Sequence, residues 1–286
     1  MEVLVRKIFA FSANGQGGNP AGVVLDADQL SHEQKQEVAA KVGLSETAFV
    51  SASNQADFKL DFFTPNRQIS HCGHATVATF SFLKTQGLIQ GNKSSKETID
   101  GTRQIFFKDG NTYMEQKAPV FKSVNQDKVR ILDSLGITNS ALSEKLPLSI
   151  VNTGNSFLII PIIDKEILAE ITPNQPLIDS YSEKHDLIGY YLYAPTQDAE
   201  ATTRMFAPRY GIAEEAATGM AAGPLAGYLY QQLITTKTQI FLRQGEYMRP
   251  PSPSEITVNL ELKNGSMARL FAGGRAYVGE ELVLNI

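Results

Sequence analysis

The sequence has one cysteine, no excess of basic charge and no long apolar run, and each shortage excludes a class of protein. Cys72 is the only cysteine in 286 residues, so an internal disulfide framework is impossible and a reducing cytoplasm is the expected environment. The net charge is −4 without a Lys/Arg run, which gives no electrostatic reason to expect a nucleic-acid partner. No stretch approaches about 18 apolar residues, so no membrane partner is predicted.

What is present is typical of an ordinary globular protein. Hydrophobic residues make up 42% of the chain and charged residues 20%, and the length favours two domains. The first residues, MEVLVRKIFAFSANG, are interpreted as a strand rather than a signal peptide because charges interrupt the apolar residues.

Strands dominate the predicted secondary structure. They are runs of β-branched and aromatic residues between turn formers, at 3–11, 22–25, 48–50, 58–63, 104–108, 112–116, 156–160, 189–194, 202–207, 239–243, 255–262 and 276–284. Ser31 and Gln34 form a capping-box signature for a helix that Gly43 ends. Shorter helices are predicted at 128–135 and 167–170. Because strands and helices do not alternate regularly, an α+β fold is favoured over a doubly wound parallel sheet.

A weak internal repeat indicates a duplicated domain. Phe63-Thr64-Pro65 is followed by Gly73-His74-Ala75-Thr76 and an apolar run. Phe206-Ala207-Pro208 is followed by Thr218-Gly219-Met220-Ala221 and a second apolar run. Each half thus predicts a strand, a loop and a helix of small residues that opens on glycine. We expect these helix N-termini to face each other across a cleft, with 117–125 as the linker between the halves. Chance similarity of the two strings is the alternative.

Glu46 is the first candidate for chemistry. It lies in Leu44-Ser45-Glu46-Thr47-Ala48-Phe49-Val50, where a strand begins among apolar neighbours. Burial there disfavours the ionised carboxyl group, so its pKa is expected to rise toward a value useful for proton transfer. The alternative interpretation is an exposed carboxylate at a turn.

His71-Cys72-Gly73-His74 combines two residue types that bind metals or act as nucleophile and base. A zinc site normally needs three or four such ligands, and no second cysteine exists, so no metal is predicted. A cysteine nucleophile with a histidine base is a remote alternative, and a buried, inert Cys72 is favoured. The N–H groups at the predicted helix starts, around Gly73 and Gly219, are candidate anion sites, although glycine there also suits tight packing.

Taken together these motifs resemble the phenazine-biosynthesis (PhzF-like) isomerase family. The resemblance rests on strings that occur in order over nearly the whole chain, each weak by itself: 18–24, 44–50, 63–65, 72–76, 206–208, 211–219 and 245–250. It implies a diaminopimelate-epimerase-like fold of two pseudo-symmetric lobes, each a curved mixed sheet around a central helix. We expect the N-terminal lobe to comprise 1–118 plus 274–286 and the C-terminal lobe 119–273.

The resemblance also implies a mechanism. Glu46 would be the acid/base that moves a proton between carbons of a small carboxylate-bearing substrate, and His74 and Glu215 would orient substrate or relay protons. Substrate-binding residues are expected at Asn19, Gly73, Ala75, Thr218, Gly219 and Met220. Family members commonly form homodimers and use neither a metal nor an organic cofactor.

Several positions depart from the family pattern. Glu215 replaces the usual aspartate, Met220 a serine and Gln68 a glutamate. Met220 removes a potential hydrogen bond to substrate, so the phenazine-pathway substrate itself is not expected. Related epimerases use two facing cysteines, and Ala216 stands where the second would be. The leading hypothesis is therefore a cofactor-independent isomerase. A catalytically silent binding protein and a Cys72 hydrolase are the alternatives.

Overall fold

The computed structural model describes all 286 residues, and the chain divides into two compact units. The first unit comprises Met1–Glu115 and Gly273–Ile286, and the second comprises Gln116–Ala272.

Strands outnumber helices in both units. The strands are β1 Glu2–Ala10, β2 Asn19–Val24, β3 Thr47–Ser51, β4 Phe58–Phe63, β5 Gln68–Ile69, β6 Lys93–Thr98, β7 Gly101–Lys108, β8 Asn111–Lys117, β9 Val120–Ser123, β10 Ser149–Asn152, β11 Ser156–Pro161, β12 Gly189–Ala194, β13 Ala201–Ala207, β14 Ile212–Glu215, β15 Gln239–Gln244, β16 Ser254–Lys263, β17 Ser266–Gly274 and β18 Ala276–Asn285. The α-helices are α1 His32–Val42, α2 Gly73–Thr85, α3 Lys128–Leu135, α4 Lys165–Glu170, α5 Gln175–His185 and α6 Gly219–Gln231. No helix combines the length and the apolar composition needed to cross a membrane.

The first unit is a mixed sheet around α2. Its strands pair in the order β18-β1-β2-β3-β4-β6-β7-β8, with β2–β3 and β4–β6 parallel and the other neighbours antiparallel. Helix α2 packs against β1, β2, β3 and β18 and is buried over most of its length. A second apolar cluster, which includes Val38, Phe49 and Phe63, involves α1.

The second unit repeats this pattern around α6. Its strands pair in the order β9-β10-β11-β12-β13-β15-β16, with β11–β12 and β13–β15 parallel and the other neighbours antiparallel. Helix α6 packs against β10, β11 and β16. In both units the central helix follows the first and precedes the second member of a parallel strand pair along the chain, β4 and β6 or β13 and β15. The predicted duplication and α+β class are therefore confirmed.

Small residues let both central helices pack closely inside their sheets. Gly223 of α6 illustrates the constraint, because a Cβ there would lie 2.0 Å from Gln116 Oε1. The predicted capping box of α1 is present: Gln34 N–H donates to Ser31 Oγ and Ser31 N–H donates to Gln34 Oε1. Gly43 ends α1 with φ +66°, a conformation that glycine adopts without strain.

The predicted linker 117–125 is wrong, because most of it is structured. Residues 120–123 form β9, which pairs antiparallel with β10 from Ser123↔Ser149 to Val120↔Asn152. The pairing partner lies about 30 residues further along the chain, beyond the reach of a local sequence pattern. Helix α5 was also missed, although Asn174 caps its N-terminus and a proline occupies its first turn.

Candidate active site

Glu46 lies directly before β3, and its backbone is held by β2. Gly22 N–H donates to the Glu46 carbonyl at 3.0 Å, which continues the parallel β2–β3 pairing by one residue. The residue is 7% exposed. Its Oε2 lies 3.2 Å from His74 Nε2, yet no well-directed hydrogen bond reaches this buried oxygen. A carboxylate oxygen is therefore held in the interior with unused acceptor capacity.

His74 is the second residue of α2 and is 3% exposed. Its Nε2 faces Glu46, and its Nδ1 lies 3.5 Å from Cys72 Sγ. Cys72 is the N-cap residue of the same helix. The start of α2 thus brings an imidazole and a thiol beside the carboxylate that precedes β3.

The predicted rise in the Glu46 pKa is wrong. Burial alone does raise it, but the positive charge of His74 and the close polar contacts with His74 and Ser45 outweigh burial, so the pKa of the Glu46 carboxyl is below its ordinary value. The sequence pattern indicated the burial but could not reveal a cation 3.2 Å away. At neutral pH the group is a carboxylate and begins as a base rather than as an acid.

Cys72 is poorly suited to nucleophilic chemistry. It is 4% exposed, and burial together with the nearby Glu46 charge raises the pKa of its thiol. The donor atoms of Glu46, Cys72 and His74 lie within 4.8 Å of one another, close enough to be tested as a metal site. Binding a metal there would require Cys72 to lose its proton, and the absence of a metal stays a prediction from the sequence.

The other predicted substrate-binding residues of the first unit lie at the starts of α2 and β2. Gly73 and Ala75 are buried in the first turn of α2, where backbone N–H groups have no partner within the helix. Asn19 is buried at the start of β2, three residues before Gly22, and pairs in register with Ala10.

In the second unit, Glu215 and Thr218 lie together at the start of α6. Glu215 ends β14, and Thr218, the N-cap residue, donates its hydroxyl to Glu215 Oε2. Gly219 and Met220 follow in the first turn. The Met220 sulfur accepts a weak hydrogen bond from Asn155 Nδ2 at 3.6 Å, so the thioether is held within its own unit.

The side chain that organises this turn, Gln244, belongs to none of the predicted site residues. Gln244, fully buried at the end of β15, donates from Nε2 to the Glu215 carbonyl (2.7 Å) and to Thr218 Oγ1 (3.0 Å). Its Oε1 accepts from Thr218 N–H (3.1 Å) and from the Tyr191 hydroxyl (3.0 Å). The available signal was its position directly before the motif that starts at Gly245.

The phenazine biosynthesis-like protein family, PhzC-PhzF, matches residues 8–281 of this chain. The chain belongs to this family. It is an enzyme of isomerase type, as the names of several PhzF-like relatives indicate.

Relatives in the family span nearly the whole chain. The Bacillus subtilis protein named "Uncharacterized isomerase YfhB" is 30% identical over 296 residues, covering 100% of this chain and 99% of its own length. The trans-2,3-dihydro-3-hydroxyanthranilate isomerase of Pseudomonas chlororaphis is 32% identical over 253 residues, 86% of each chain. A PhzF-family protein of Bacillus anthracis has the same fold, with a TM-score of 0.91, 26% identity and complete coverage of both chains.

More distant structures share the fold alone. A hydroxyproline epimerase from Agrobacterium vitis aligns with a TM-score of 0.62 at 10% identity, covering 99% of this chain and 91% of its own. The predicted epimerase-like architecture is therefore confirmed.

Proposed function

We propose that this PhzF-like isomerase moves a proton between carbons of a small carboxylate-bearing metabolite without a cofactor, and that Glu46 is the general acid/base. One observation carries the proposal: the buried Glu46 Oε2, 3.2 Å from His74 Nε2, has no well-directed hydrogen bond. A buried acceptor that the protein leaves unsatisfied is the arrangement expected of a group that binds and releases a proton.

The proposed reaction needs no external oxidant or reductant. Glu46 begins as the carboxylate and takes a proton from a substrate carbon, so a C–H bond breaks and an O–H bond forms. The electron pair left on carbon spreads into the substrate as an enolate-like anion. Glu46 then returns the proton to another carbon, which restores the carboxylate and leaves an isomer.

The neighbouring groups are assigned supporting roles in the same proposal. His74 orients Glu46 and balances its charge before it takes the proton. The N–H groups of Gly73 and Ala75 favour an anionic oxygen, because a helix N-terminus carries partial positive charge. Glu215 and Thr218, hydrogen-bonded to each other, would orient substrate or relay protons together with Gly219 and Met220.

The substrate class is inferred from chemistry and from one relative. Helix-end N–H donors suit a carboxylate, and the Pseudomonas chlororaphis relative is named for an anthranilate derivative, which carries one. Met220 and Gln68 argue against transferring that exact substrate. A homodimer in the cytoplasm, without nucleic-acid or membrane partners, stays a prediction from the sequence and the family.

Solvent exchange tests the assignment of Glu46. A set of small carboxylates, with 3-hydroxyanthranilate included, is first screened for ligands that raise the melting temperature. Each stabilising compound is then incubated with enzyme in D2O, and deuterium at carbon is followed by mass spectrometry. Glu46→Gln should reduce incorporation by at least about 100-fold, the usual contribution of a general acid/base, while the ligand still raises the melting temperature.

Glu37→Gln is the matched control, because Glu37 lies on the exposed face of α1 and forms an ion pair only with Lys41. It should exchange deuterium at the wild-type rate. Full exchange by the Glu46→Gln enzyme would refute the assignment, and binding without exchange by the wild-type enzyme would refute the proposed proton transfer.

A further inference from the structure

Lys96 places an ammonium group in the interior of the first unit without a carboxylate partner. It lies on β6 and is fully buried. Its Nζ donates to Thr76 Oγ1 at 2.6 Å and contacts His71 Nδ1 at 3.1 Å, and it lies 5.1 Å from the centre of the Phe62 ring. Burying an ammonium without a counter-ion costs stability, so its position calls for a compensating role.

The hydrogen bonds lead from Lys96 to the start of α2. Thr76 accepts from Lys96 and donates its hydroxyl to the Cys72 carbonyl at 2.6 Å. The Thr76 N–H also donates to that carbonyl, at 3.2 Å. Because a hydroxyl that accepts from a cation becomes a stronger donor, the Cys72 carbonyl is polarised as well as fixed.

The same peptide group carries the first N–H of α2. The Cys72–Gly73 bond is trans, so its C=O and N–H point in opposite directions in one plane. Fixing the Cys72 carbonyl therefore fixes the direction of the Gly73 N–H, and polarising the carbonyl makes this N–H a stronger donor.

We propose that Lys96 is a positioning residue that acts through Thr76 and the Cys72–Gly73 peptide to strengthen the Gly73 N–H as a donor to an anionic substrate oxygen. The inference rests on the proposed function for the identity of that oxygen. The hydrogen-bond relay itself belongs to the free protein and is measurable without substrate.

The charge on Lys96 makes the relay sensitive to pH. Burial, opposed by Cys72 and Asp100 and reinforced by Arg103, lowers the pKa of Lys96 to about 7. Burial, Lys96 and Arg103 hold the pKa of His71 well below its ordinary value, so His71 is neutral and its Nδ1 accepts from Lys96. The relay should therefore weaken as the pH rises through about 7.

The single cysteine permits a specific measurement. Protein labelled with [1-13C]cysteine and [15N]glycine contains one 13C–15N peptide pair, because only one Cys-Gly step, Cys72–Gly73, exists. A carbonyl-edited NMR spectrum then shows a single peak, the Gly73 amide. Its proton frequency reports how strongly the N–H is polarised, and it is followed from pH 5.5 to 9.

In the wild-type protein the Gly73 proton should move upfield with a midpoint near pH 7, as Lys96 loses its charge. Lys96→Met should abolish this titration and fix the peak at the upfield position. Thr76→Val should also abolish it, while Thr76→Ser, which keeps the hydroxyl, should restore it. Lys93→Met, on the exposed side of the same strand, should behave as wild type.

A titration that persists in Lys96→Met, or a Gly73 peak that is unchanged by both Lys96→Met and Thr76→Val, would overturn the relay. Glu46→Gln should keep the titration with its midpoint near 7. The relay and the proton-transfer mechanism can therefore fail separately: a missing titration in the wild-type protein would leave the assignment of Glu46 standing, and full exchange by the Glu46→Gln enzyme would leave the relay standing.

Discussion

Two opposing effects act on the carboxyl group of Glu46. Burial favours its neutral form, and the adjacent His74 favours its charged form and prevails. The protein thereby keeps a base ionised in a dry environment, at the cost of placing a second ionisable group beside it. The balance should depend on His74 more than on any other residue, since the effect of Ser45 on the Glu46 pKa is smaller.

His74→Gln tests this balance. Glutamine can still donate a hydrogen bond but carries no charge, so burial should dominate and the pKa of Glu46 should rise. As the pH falls through that pKa the base is protonated and activity decreases about tenfold per pH unit. In the wild-type enzyme this acid limb should lie below pH 4.5, the ordinary value for glutamate. In the variant the limb should lie above it.

The rate of deuterium exchange from pH 4 to 8 provides the measurement. His32→Gln serves as the comparison, because His32 is an exposed residue at the start of α1. An acid limb that stays in place or moves to lower pH in His74→Gln would show that His74 does not hold Glu46 ionised.

At the scale of elements, the start of α6 depends on a side chain from β15. Gln244 uses both its amide oxygen and its amide nitrogen, and these atoms reach the Glu215 carbonyl and the Thr218 N–H. Gln244→Met keeps the approximate volume but leaves these groups without their partner. Each buried unsatisfied group costs about 1–3 kcal/mol, so the variant should lose roughly 2–4 kcal/mol of unfolding free energy.

Urea unfolding followed by circular dichroism measures this loss. Gln239→Met lies on the same strand, where the Gln239 side chain is exposed and bonds only to Asn259, and it should change stability by less than about 0.5 kcal/mol. Equal effects of the two substitutions would mean that Gln244 contributes no more than an exposed strand residue.

Elements with a strong local signal were predictable from the sequence, and those defined by distant partners were not. The limits of α3 are those predicted, and α1 carries the predicted capping box because Ser31 and Gln34 are neighbours in sequence. By contrast β9 depends on pairing with β10. Helix α5, which was not predicted, also has local signals: its buried Ile178 and Tyr181 lie three residues apart, as expected for one face of a helix.

At the scale of the whole molecule, the same distinction explains which site residues were found. Glu46 and His74 were selected from motifs, and the fold brings their side chains to 3.2 Å. Lys96 and Gln244 gave no such signal, because a lysine or glutamine in a strand is usually interpreted as solvent-facing. Their roles arise only when separate segments of the chain meet. Motifs thus identify groups that would touch substrate, whereas the groups that position them become visible in three dimensions.

Cys72 offers a measure of how firmly the first unit holds this site. It is the only thiol, it is buried at the N-cap position of α2, and burial and Glu46 raise its pKa, so both access and thiolate content are low in the native state. Iodoacetamide at pH 8 should therefore alkylate the native protein at least about 1,000-fold more slowly than the urea-unfolded chain, since ordinary stabilities of 5–15 kcal/mol keep the open state rare. Mass spectrometry over time measures the rate, with Cys72→Ser as the unlabelled control.

Rapid alkylation of the native protein with loss of deuterium exchange would instead indicate an accessible thiol in the reaction, and the assignment of proton transfer to Glu46 alone would then be wrong.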